Sequence, residues 1–183
     1  MGIGCPWEIP LPVIRKASRS DAGPLSWLAE ATFRSTFGVM NTSEDMDLHC
    51  RTRYSETIQS GEIADPHMLT LLCEGDEGPV GFAQLRWGDA PDCVAARSPG
   101  EIQRLYVTDA WLGKGIAQEL MCACIREMEA RGSDVIWLGV WEHNPRAISF
   151  YRKSGFVEVG DHVFPLGSDP QRDIVMARPI AAS

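Results

Sequence analysis

The residues with the clearest chemical potential form a glycine turn, Leu112-Gly-Lys-Gly-Ile-Ala117, at the start of an amphipathic segment. Glycines let the backbone approach a ligand closely, and the unpaired N–H groups of a first helical turn, with the helix dipole, favour an anion such as a pyrophosphate. The GxxxxGK[ST] and GxGxxG patterns are absent, because Ile116 and Gln118 occupy the deciding positions. Taken alone, the turn fits helix packing as well as phosphate binding.

A second group of residues follows further along the chain. Asn144 and Pro145 predict a helix N-cap and first turn, and Tyr151 falls on the apolar face of that helix before Gly155. A phenol can protonate a departing thiolate, because the pKa values of the two groups are similar. The same spacing also fits a core aromatic residue. Glu101 begins a strand, and its carboxylate could accept a proton through a water molecule or could simply be solvated.

These residues require elements that hold them together. The segment after the glycine turn repeats apolar residues at intervals of three and four, which predicts a helix that ends at Gly132. The run from Val135 to Trp141 is almost continuously apolar, as is typical of a central strand covered on both faces. Glu101 to Val107 is predicted to be the preceding strand. Strand, helix and strand in this order imply a parallel pair.

The remaining segments are predicted from alternation, capping residues and turns. They are a strand over 13–17, a helix from Ser20 or Asp21, a second helix over 43–58, strands over 67–74 and 79–87 joined by the turn 75–78, the helix from Asn144 to Gly155, and a final hairpin of 156–164 and 173–177 across 167–170. The predicted order is β, α, α, β, β, β, α, β, α, β, β.

The glycine turn, the apolar strand and Asn144-Pro-Arg-Ala-Ile-Ser-Phe-Tyr-Arg-Lys-Ser-Gly-Phe156 together resemble the GNAT superfamily of N-acetyltransferases. The resemblance implies an α/β fold with a mixed, strongly twisted sheet of about seven strands, helices on both faces, and splayed strands at 101–107 and 135–141. It also implies acetyl-CoA as cosubstrate, no metal, and Tyr151 as general acid. Leu112 stands where the family usually has Arg or Gln, so one side-chain contact to the cofactor is absent.

The resemblance implies a set of cofactor-binding residues along the first splayed strand, the glycine turn and the two helices. They are Leu105, Tyr106, Val107, Leu112, Gly113, Lys114, Gly115, Ile116, Ala117, Gln118, Asn144 and Tyr151. Pantetheine would pair with the free edge of the strand. The backbone N–H of Tyr106 or Val107, beside a strand irregularity, would stabilise the charge that develops on the thioester oxygen.

The catalytic candidates are Tyr151 as acid and Glu101 as base. His162, on the strand after the second motif, is a further candidate proton relay, because a neutral imidazole titrates near pH 6.5. Lys114, Arg152 and Lys153 could contact the cofactor's phosphates or could be solvated surface charges.

A closer resemblance, to the PaiA-type spermidine/spermine acetyltransferases, covers most of the chain. It is carried by the segments 31–37 with Asn41, 101–107, Ile136-Trp-Leu-Gly-Val-Trp-Glu142, and the ending through His162 to Met176. It implies a polyamine acceptor. The candidate selectors are the loop 88–100 and four acidic residues of the first two helices: Glu30, Glu44, Asp45 and Asp47. A peptide or protein acetyltransferase and an acyl-CoA-binding regulatory module with little turnover are the alternatives.

Composition sets the remaining expectations. The 183 residues, 44% of them apolar, predict one domain over 1–183 with a packed core, and with residues 1–10 as a loosely ordered extension. A formal charge of -8 argues against binding nucleic acid. Without a signal peptide or a membrane span, we expect a cytoplasmic protein whose six cysteines are reduced. The expected partners are acetyl-CoA and a small amine, and the apolar C-terminal strands would permit a homodimer.

Overall fold

The computed structural model describes residues 12–180, so the predicted N-terminal extension lies outside the described residues. The strands are β1 (Val13–Lys16), β2 (Met68–Gly75), β3 (Gly78–Trp87), β4 (Pro99–Val107), β5 (Val135–Trp141), β6 (Val157–Leu166) and β7 (Asp169–Pro179). The helices are α1 (Ala22–Phe37), α2 (Ser43–Arg53), α3 (Glu56–Ala64), α4 (Ile116–Ala130) and α5 (Pro145–Lys153).

All seven strands join one mixed sheet in the order β1-β2-β3-β4-β5-β7-β6. Neighbouring strands are antiparallel except β4 and β5, which are parallel and are connected through α4. Helices α1 to α3 pack on one face of the sheet and α4 packs on the other. This architecture confirms the mixed α/β sheet that the sequence predicted.

Strands β4 and β5 separate soon after they meet. They pair only at Pro99↔Val135, Gly100↔Ile136 and Glu101↔Trp137, so the rest of β4 presents an open edge. The register of β3 with β4 shifts at Gln103, which has no partner, and such a bulge bends a strand and increases its twist. The splayed strands predicted at 101–107 and 135–141 are therefore confirmed.

The core consists of apolar helix faces packed on the sheet. Leu120, Cys124 and Met128 of α4 are fully buried on one face, and Leu28 and Phe33 of α1 are buried on the other. Burying a side chain of this size stabilises the fold by about 1.5–3 kcal/mol. The two packed faces fix the helices whose ends border the gap between β4 and β5.

The prediction of one helix over 43–58 is wrong, because the chain breaks there into α2 and α3. Ser55 adopts an extended conformation, and its hydroxyl accepts a hydrogen bond from the Ile58 N–H at 3.3 Å, which caps α3. Tyr54 at the break is only 3% exposed. Its burial against the sheet compensates for the interrupted helix, and the break brings the end of α2 to the open edge of β4.

The final hairpin is longer and its turn is tighter than predicted. Strand β6 continues to Leu166 and β7 begins at Asp169, which leaves a turn of Gly167 and Ser168 instead of 167–170. Gly167 has a φ of +60°, as tight hairpin turns require. The Ser168 N–H and hydroxyl both donate to the Asp45 carboxylate, which ties the hairpin to α2.

Candidate active site

A cavity of about 540 Å³ opens where β4 and β5 separate. We divide its lining into two halves that meet at the open edge of β4. The cosubstrate half includes Leu105, Val107, Leu112, Gly113, Ala117, Gln118, Asn144, Phe150 and Tyr151. The acceptor half includes Phe37, His49, Arg53, Tyr54, Glu101, Arg104, Trp141, Gly139, His162 and Asp173.

The cosubstrate half contains the glycine turn before α4. Gly113 and Gly115 have φ values of +75° and +87°, and a Cβ placed on either glycine would meet no atom within 4 Å. The glycines are therefore required by the backbone conformation, and the turn faces open space. Helix α4 begins directly afterwards, so the N–H groups of its first turn have no helical partners. A pyrophosphate fits this turn because both the donors and the helix dipole favour an anion.

The open edge of β4 offers further backbone donors. The Thr108 N–H donates to the Val80 carbonyl of β3 at 2.9 Å. Because N–H groups alternate between the two edges of a strand, the Tyr106 N–H also faces β3, whereas those of Leu105 and Val107 face the gap. Of the two predicted donors, Val107 is therefore placed toward the cavity and Tyr106 is not. The strand irregularity lies at Gln103, further toward the start of β4 than those donors.

Helix α5 brings Tyr151 to the cavity. The Asn144 carboxamide oxygen accepts from the Ala147 N–H at 3.1 Å and Pro145 occupies the first turn, as predicted. Tyr151 is 9% exposed, and its hydroxyl makes no hydrogen bond to any described residue. Burial raises the pKa of Tyr151, so the phenol stays protonated well into the alkaline range.

The acceptor half gathers titratable side chains from three strands. His162 Nε2 lies 3.8 Å from Asp173 Oδ2, an ion-pair distance too long for a hydrogen bond. The Asp173 carboxylate raises the pKa of His162, and burial raises the pKa of Glu101. A Cβ on Gly139 would lie 2.8 Å from His162 Nε2, so only glycine at this position of β5 leaves room for the imidazole.

Aromatic side chains close the acceptor half on the helix side. The Phe37 and Trp141 rings lie 5.4 Å apart, and His49 stacks on Phe33 at 4.4 Å. Burial lowers the pKa of His49 to about 4, so this imidazole is neutral near pH 7. The aromatic wall is therefore largely uncharged, and the charged groups of this half are concentrated on the strands and at the end of α2.

Residues 29–156 match the model of the acetyltransferase (GNAT) family. The chain belongs to the GNAT family of acetyltransferases. This GNAT acetyltransferase is 30% identical over 165 residues to an uncharacterized N-acetyltransferase of Lactobacillus delbrueckii subsp. lactis, which covers 90% of this chain and 95% of the relative. It is also 30% identical over 159 residues to an uncharacterized N-acetyltransferase of Mycobacterium bovis, covering 87% and 97%.

The fold of this GNAT acetyltransferase is similar to that of the PaiA N-acetyltransferase from Thermoplasma acidophilum in complex with coenzyme A. The TM-score is 0.76 and the identity 24%, over 92% of this chain and 99% of the other. The predicted N-acetyltransferase class and the acetyl-CoA cosubstrate are confirmed at the level of the family. The likeness to PaiA shows a shared fold and leaves the acceptor of this GNAT acetyltransferase open.

Most of the predicted cofactor residues of the GNAT acetyltransferase line the cavity, while three of them only border it. Gly115 and Ile116 support the turn, and Ile116 is 3% exposed. The Lys114 ammonium lies 4.8 Å from the centre of the Trp111 ring and does not line the cavity. Neither Arg152 nor Lys153 lines it, and Arg152 lies 3.8 Å from the Glu158 carboxylate.

None of the four acidic candidate selectors lines the cavity of this acetyltransferase, although other residues of the first two helices do. Glu30 and Asp47 each accept from Arg34 at 2.8 Å, and Asp45 holds the β6–β7 turn. The loop 88–98 does not line the cavity either. Its Val94 packs against Trp137 and Val175 on the sheet, so the loop covers apolar surface there.

The residues of the acceptor half that the sequence interpretation missed include Arg53, Arg104, Gly139 and Asp173. Only Gly139 had a readable signal, since a glycine within an apolar central strand indicates a close approach at that point. Within residues 12–180, no group of three or more His, Cys, Asp or Glu residues is placed to hold a metal ion. The cysteines within residues 12–180 are free thiols. None of the helices in that range combines the length and the apolar composition that a membrane span needs.

Proposed function

We propose that residues 12–180 form one catalytic domain that transfers the acetyl group of acetyl-CoA to a small primary amine by direct attack in a ternary complex. The supporting observation is the single cavity with Tyr151 in one half and Glu101 and His162 in the other. The amine nitrogen forms a bond to the thioester carbon while the carbon–sulfur bond breaks. One proton leaves the ammonium before attack. A second proton leaves the same nitrogen as the amide forms, and it restores the phenol that has delivered one proton to the departing sulfur.

The backbone of the cosubstrate half binds acetyl-CoA in this proposal. The N–H groups from Gly113 to Gln118 hold the pyrophosphate, while Lys114, Ile116 and Ala117 contribute through the backbone and Leu112 through apolar contact. Leu105 and Val107 pair with the pantetheine arm along the open edge of β4. The buried oxygen Oε1 of Gln103 has no hydrogen-bond partner among the described residues and can accept from a pantetheine amide.

Acetyl-CoA supplies an activated acetyl group as a thioester, and the protein stabilises the charge that develops on its oxygen. A backbone N–H at the open edge of β4, at Val107 or Leu105, is placed for this role because it needs no reorganisation during the reaction. Asn144 caps α5 and so fixes the direction in which Tyr151 reaches the sulfur. The Tyr151 phenol remains protonated because of its raised pKa, and it donates that proton to the thiolate.

Glu101 and His162 remove the proton from the ammonium. An amine near its ordinary pKa of about 10 is mostly protonated at neutral pH and cannot attack. The Glu101 carboxylate attracts the ammonium, and the neutral His162 imidazole accepts its proton directly or through water. Asp173 stabilises the imidazolium that results, since its carboxylate lies 3.8 Å from Nε2.

The PaiA resemblance supports a polyamine such as spermidine or spermine as one acceptor. The observation in its favour is the pair of carboxylates, Glu101 and Asp173, inside the cavity. Three arginines line the same cavity, Arg53, Arg104 and Arg146, and these disfavour a second ammonium near them. A peptide N-terminus is the second candidate, because the cavity is open at one side.

An acetyl-CoA-dependent thiol-release assay tests this function over spermidine, spermine, amino acids and short peptides. We expect turnover with at least one small amine and the formation of its N-acetyl product. Tight acetyl-CoA binding without thiol release on any acceptor would favour the regulatory acyl-CoA-binding module instead.

The acid role is tested by Tyr151→Phe. Removing the phenol should lower kcat by about 10²-fold or more, since general acid catalysis contributes about 10²–10⁴-fold. Isothermal titration should give nearly the same dissociation constant for acetyl-CoA, because Phe keeps the ring that packs against Phe150 and Phe156. Equal turnover by the variant and the wild type would remove Tyr151 from the acid role.

A further inference from the structure

Arg104 is a charged side chain held deep in the acceptor half by other buried polar groups. Its side chain is 9% exposed, and its Nη1 donates to Glu62 Oε2 at 2.7 Å and also to the Gln84 carboxamide oxygen. Gln84 in turn donates to Gln59 at 3.1 Å and to Thr70 at 3.3 Å. Burying so many polar groups is costly unless each is satisfied, and this network holds one guanidinium in a fixed position.

The network uses only one of the three nitrogen atoms of Arg104. Its Nε and Nη2 make no hydrogen bond to a described residue, and neither is among the buried unpaired atoms of that range. Each therefore keeps some exposed surface, and Arg104 lines the cavity. The guanidinium lies over the Tyr54 ring, 5.1 Å from its centre, which restricts the plane of the guanidinium group. The N–H groups of Nε and Nη2 form a planar fork, and this geometry matches a carboxylate.

A second arginine lines the cavity beside the first. Arg53 is an exposed residue of the last turn of α2, and within residues 12–180 it forms no ion pair. The charges of the acceptor half are consequently separated. Arg53 and Arg104, the latter paired with Glu62, form a positive end, which we call the arginine end. Glu101 and Asp173 form a negative end, where His162 Nε2 lies 3.8 Å from Asp173 Oδ2.

We propose that the acceptor amine carries a carboxylate, and that Arg104 and Arg53 bind this carboxylate while Glu101 and His162 receive the amine. This inference rests on the proposed function and specifies its substrate class as a small amino acid. A polyamine would place a second ammonium at the arginine end, where like charges repel it. The cavity of about 540 Å³ must also admit the pantetheine arm, so the acceptor is small.

The wild-type enzyme provides the first test. Thiol release at saturating acetyl-CoA is measured for alanine, glutamate, methionine and β-alanine, each paired with its carboxamide, and for spermidine. The carboxamide keeps the amine and the size but loses the negative charge. After correction for the fraction of free amine at the assay pH, the best acid should exceed its carboxamide in kcat/KM by about tenfold or more.

Two variants test whether the preference for the acid over its carboxamide arises from Arg104 and Arg53. Arg104→Lys keeps the charge but loses the fork, and Arg53→Gln removes a charge at an exposed position where folding is not at stake. Each should raise KM for the preferred acid by about tenfold and reduce the ratio of acid to carboxamide, with KM for acetyl-CoA unchanged. Arg51→Gln is the matched control, because Arg51 lies on the same helix and does not line the cavity. It should leave the ratio unchanged.

The outcomes separate this inference from the proposed function. Equal kcat/KM for acids and carboxamides, or a preference for spermidine over every acid, overturns the carboxylate site while acetyl transfer to amines stands. An acid preference that survives Arg53→Gln and a folded Arg104→Lys also overturns it. Absence of thiol release with every acceptor, despite acetyl-CoA binding, overturns the proposed function itself.

Discussion

In the cosubstrate half, the proposed ligand-binding groups are mainly backbone N–H donors, positioned by two glycines with positive φ and by the start of α4. In the acceptor half, the charged groups are all side chains, and their partners lie on other helices or strands. Arg104 is held by Glu62 of α3, and His162 of β6 faces Asp173 of β7. The difference implies that ligand binding in the cosubstrate half is sensitive to backbone strain. Activity in the acceptor half should instead depend on the exact shape and charge of the side chains.

The most severe test of this contrast is Gly139→Ala. The new methyl group would lie 2.8 Å from His162 Nε2 and 3.2 Å from Asp173 Oδ2, so it must displace both. We expect kcat/KM to fall by about 10²-fold, as loss of a general base typically does, while the dissociation constant of acetyl-CoA stays the same.

Gly61→Ala serves as the control for that variant. A Cβ on Gly61 meets no atom within 4 Å, and the residue lies inside α3, where alanine is favoured over glycine. Its turnover should be unchanged. If Gly139→Ala kept full activity, the imidazole could not be the proton acceptor in this position.

Gly115→Ala probes the backbone of the cosubstrate half. There is room for the methyl group, but a φ of +87° strains any residue with a Cβ by about 1–2 kcal/mol. The turn should relax away from this conformation and raise KM for acetyl-CoA by about tenfold. Gly132→Ala places similar strain at the opposite end of α4, where φ is +78° and a Cβ also meets no atom within 4 Å, and it should lower thermal stability without changing that KM. Equal KM effects of the two variants would contradict a role for the turn in binding.

Asp173→Asn tests the electrostatics of the acceptor half. In the proposed mechanism catalysis requires neutral His162, and the Asp173 carboxylate raises the pKa of this imidazole above its ordinary value. Activity in the wild type is therefore lost as the pH falls through the raised pKa. Removing the carboxylate lowers the pKa, so the acidic limb of the kcat/KM profile should move to lower pH. Glu158→Gln, which removes a charge elsewhere on the same hairpin, should leave the limb in place.

The smallest expected effect is a gain in cosubstrate affinity. Leu112 lines the cavity at the position where the family usually has Arg or Gln. Leu112→Arg adds a cation beside the phosphates and should lower KM for acetyl-CoA by a few fold at low salt, with less effect at high salt. Leu112→Met, which adds no charge, should change KM little. No gain with Arg would show that the phosphates lie away from this side chain.

The same contrast explains how far the sequence could be interpreted. The glycine turn, the cap at Asn144 and the stop at Gly155 depend on neighbours within a few residues, so their pattern predicted α4, α5 and the strand between them. The break at Tyr54 and Ser55 was missed because it depends on the burial of Tyr54 against β4, which local spacing does not reveal.

The acceptor half was less predictable because its partners are remote. Arg104 and Glu62 are separated by 42 positions, and neither stands in a recognisable pattern. The acidic residues of α1 and α2 were candidate acceptor selectors because of their charge. Glu30 and Asp47, however, pair with Arg34 and do not line the cavity. Side-chain direction is set by packing, so composition alone could not assign these charges.

The most direct test of the central claim is a crystal structure of the enzyme with coenzyme A. We predict that the pyrophosphate accepts hydrogen bonds from the N–H groups between Gly113 and Gln118, and that the pantetheine arm follows the open edge of β4 at Leu105 and Val107. The sulfur should lie about 3–3.5 Å from the Tyr151 hydroxyl. Coenzyme A bound outside the gap between β4 and β5, or with its sulfur remote from Tyr151, would contradict the account.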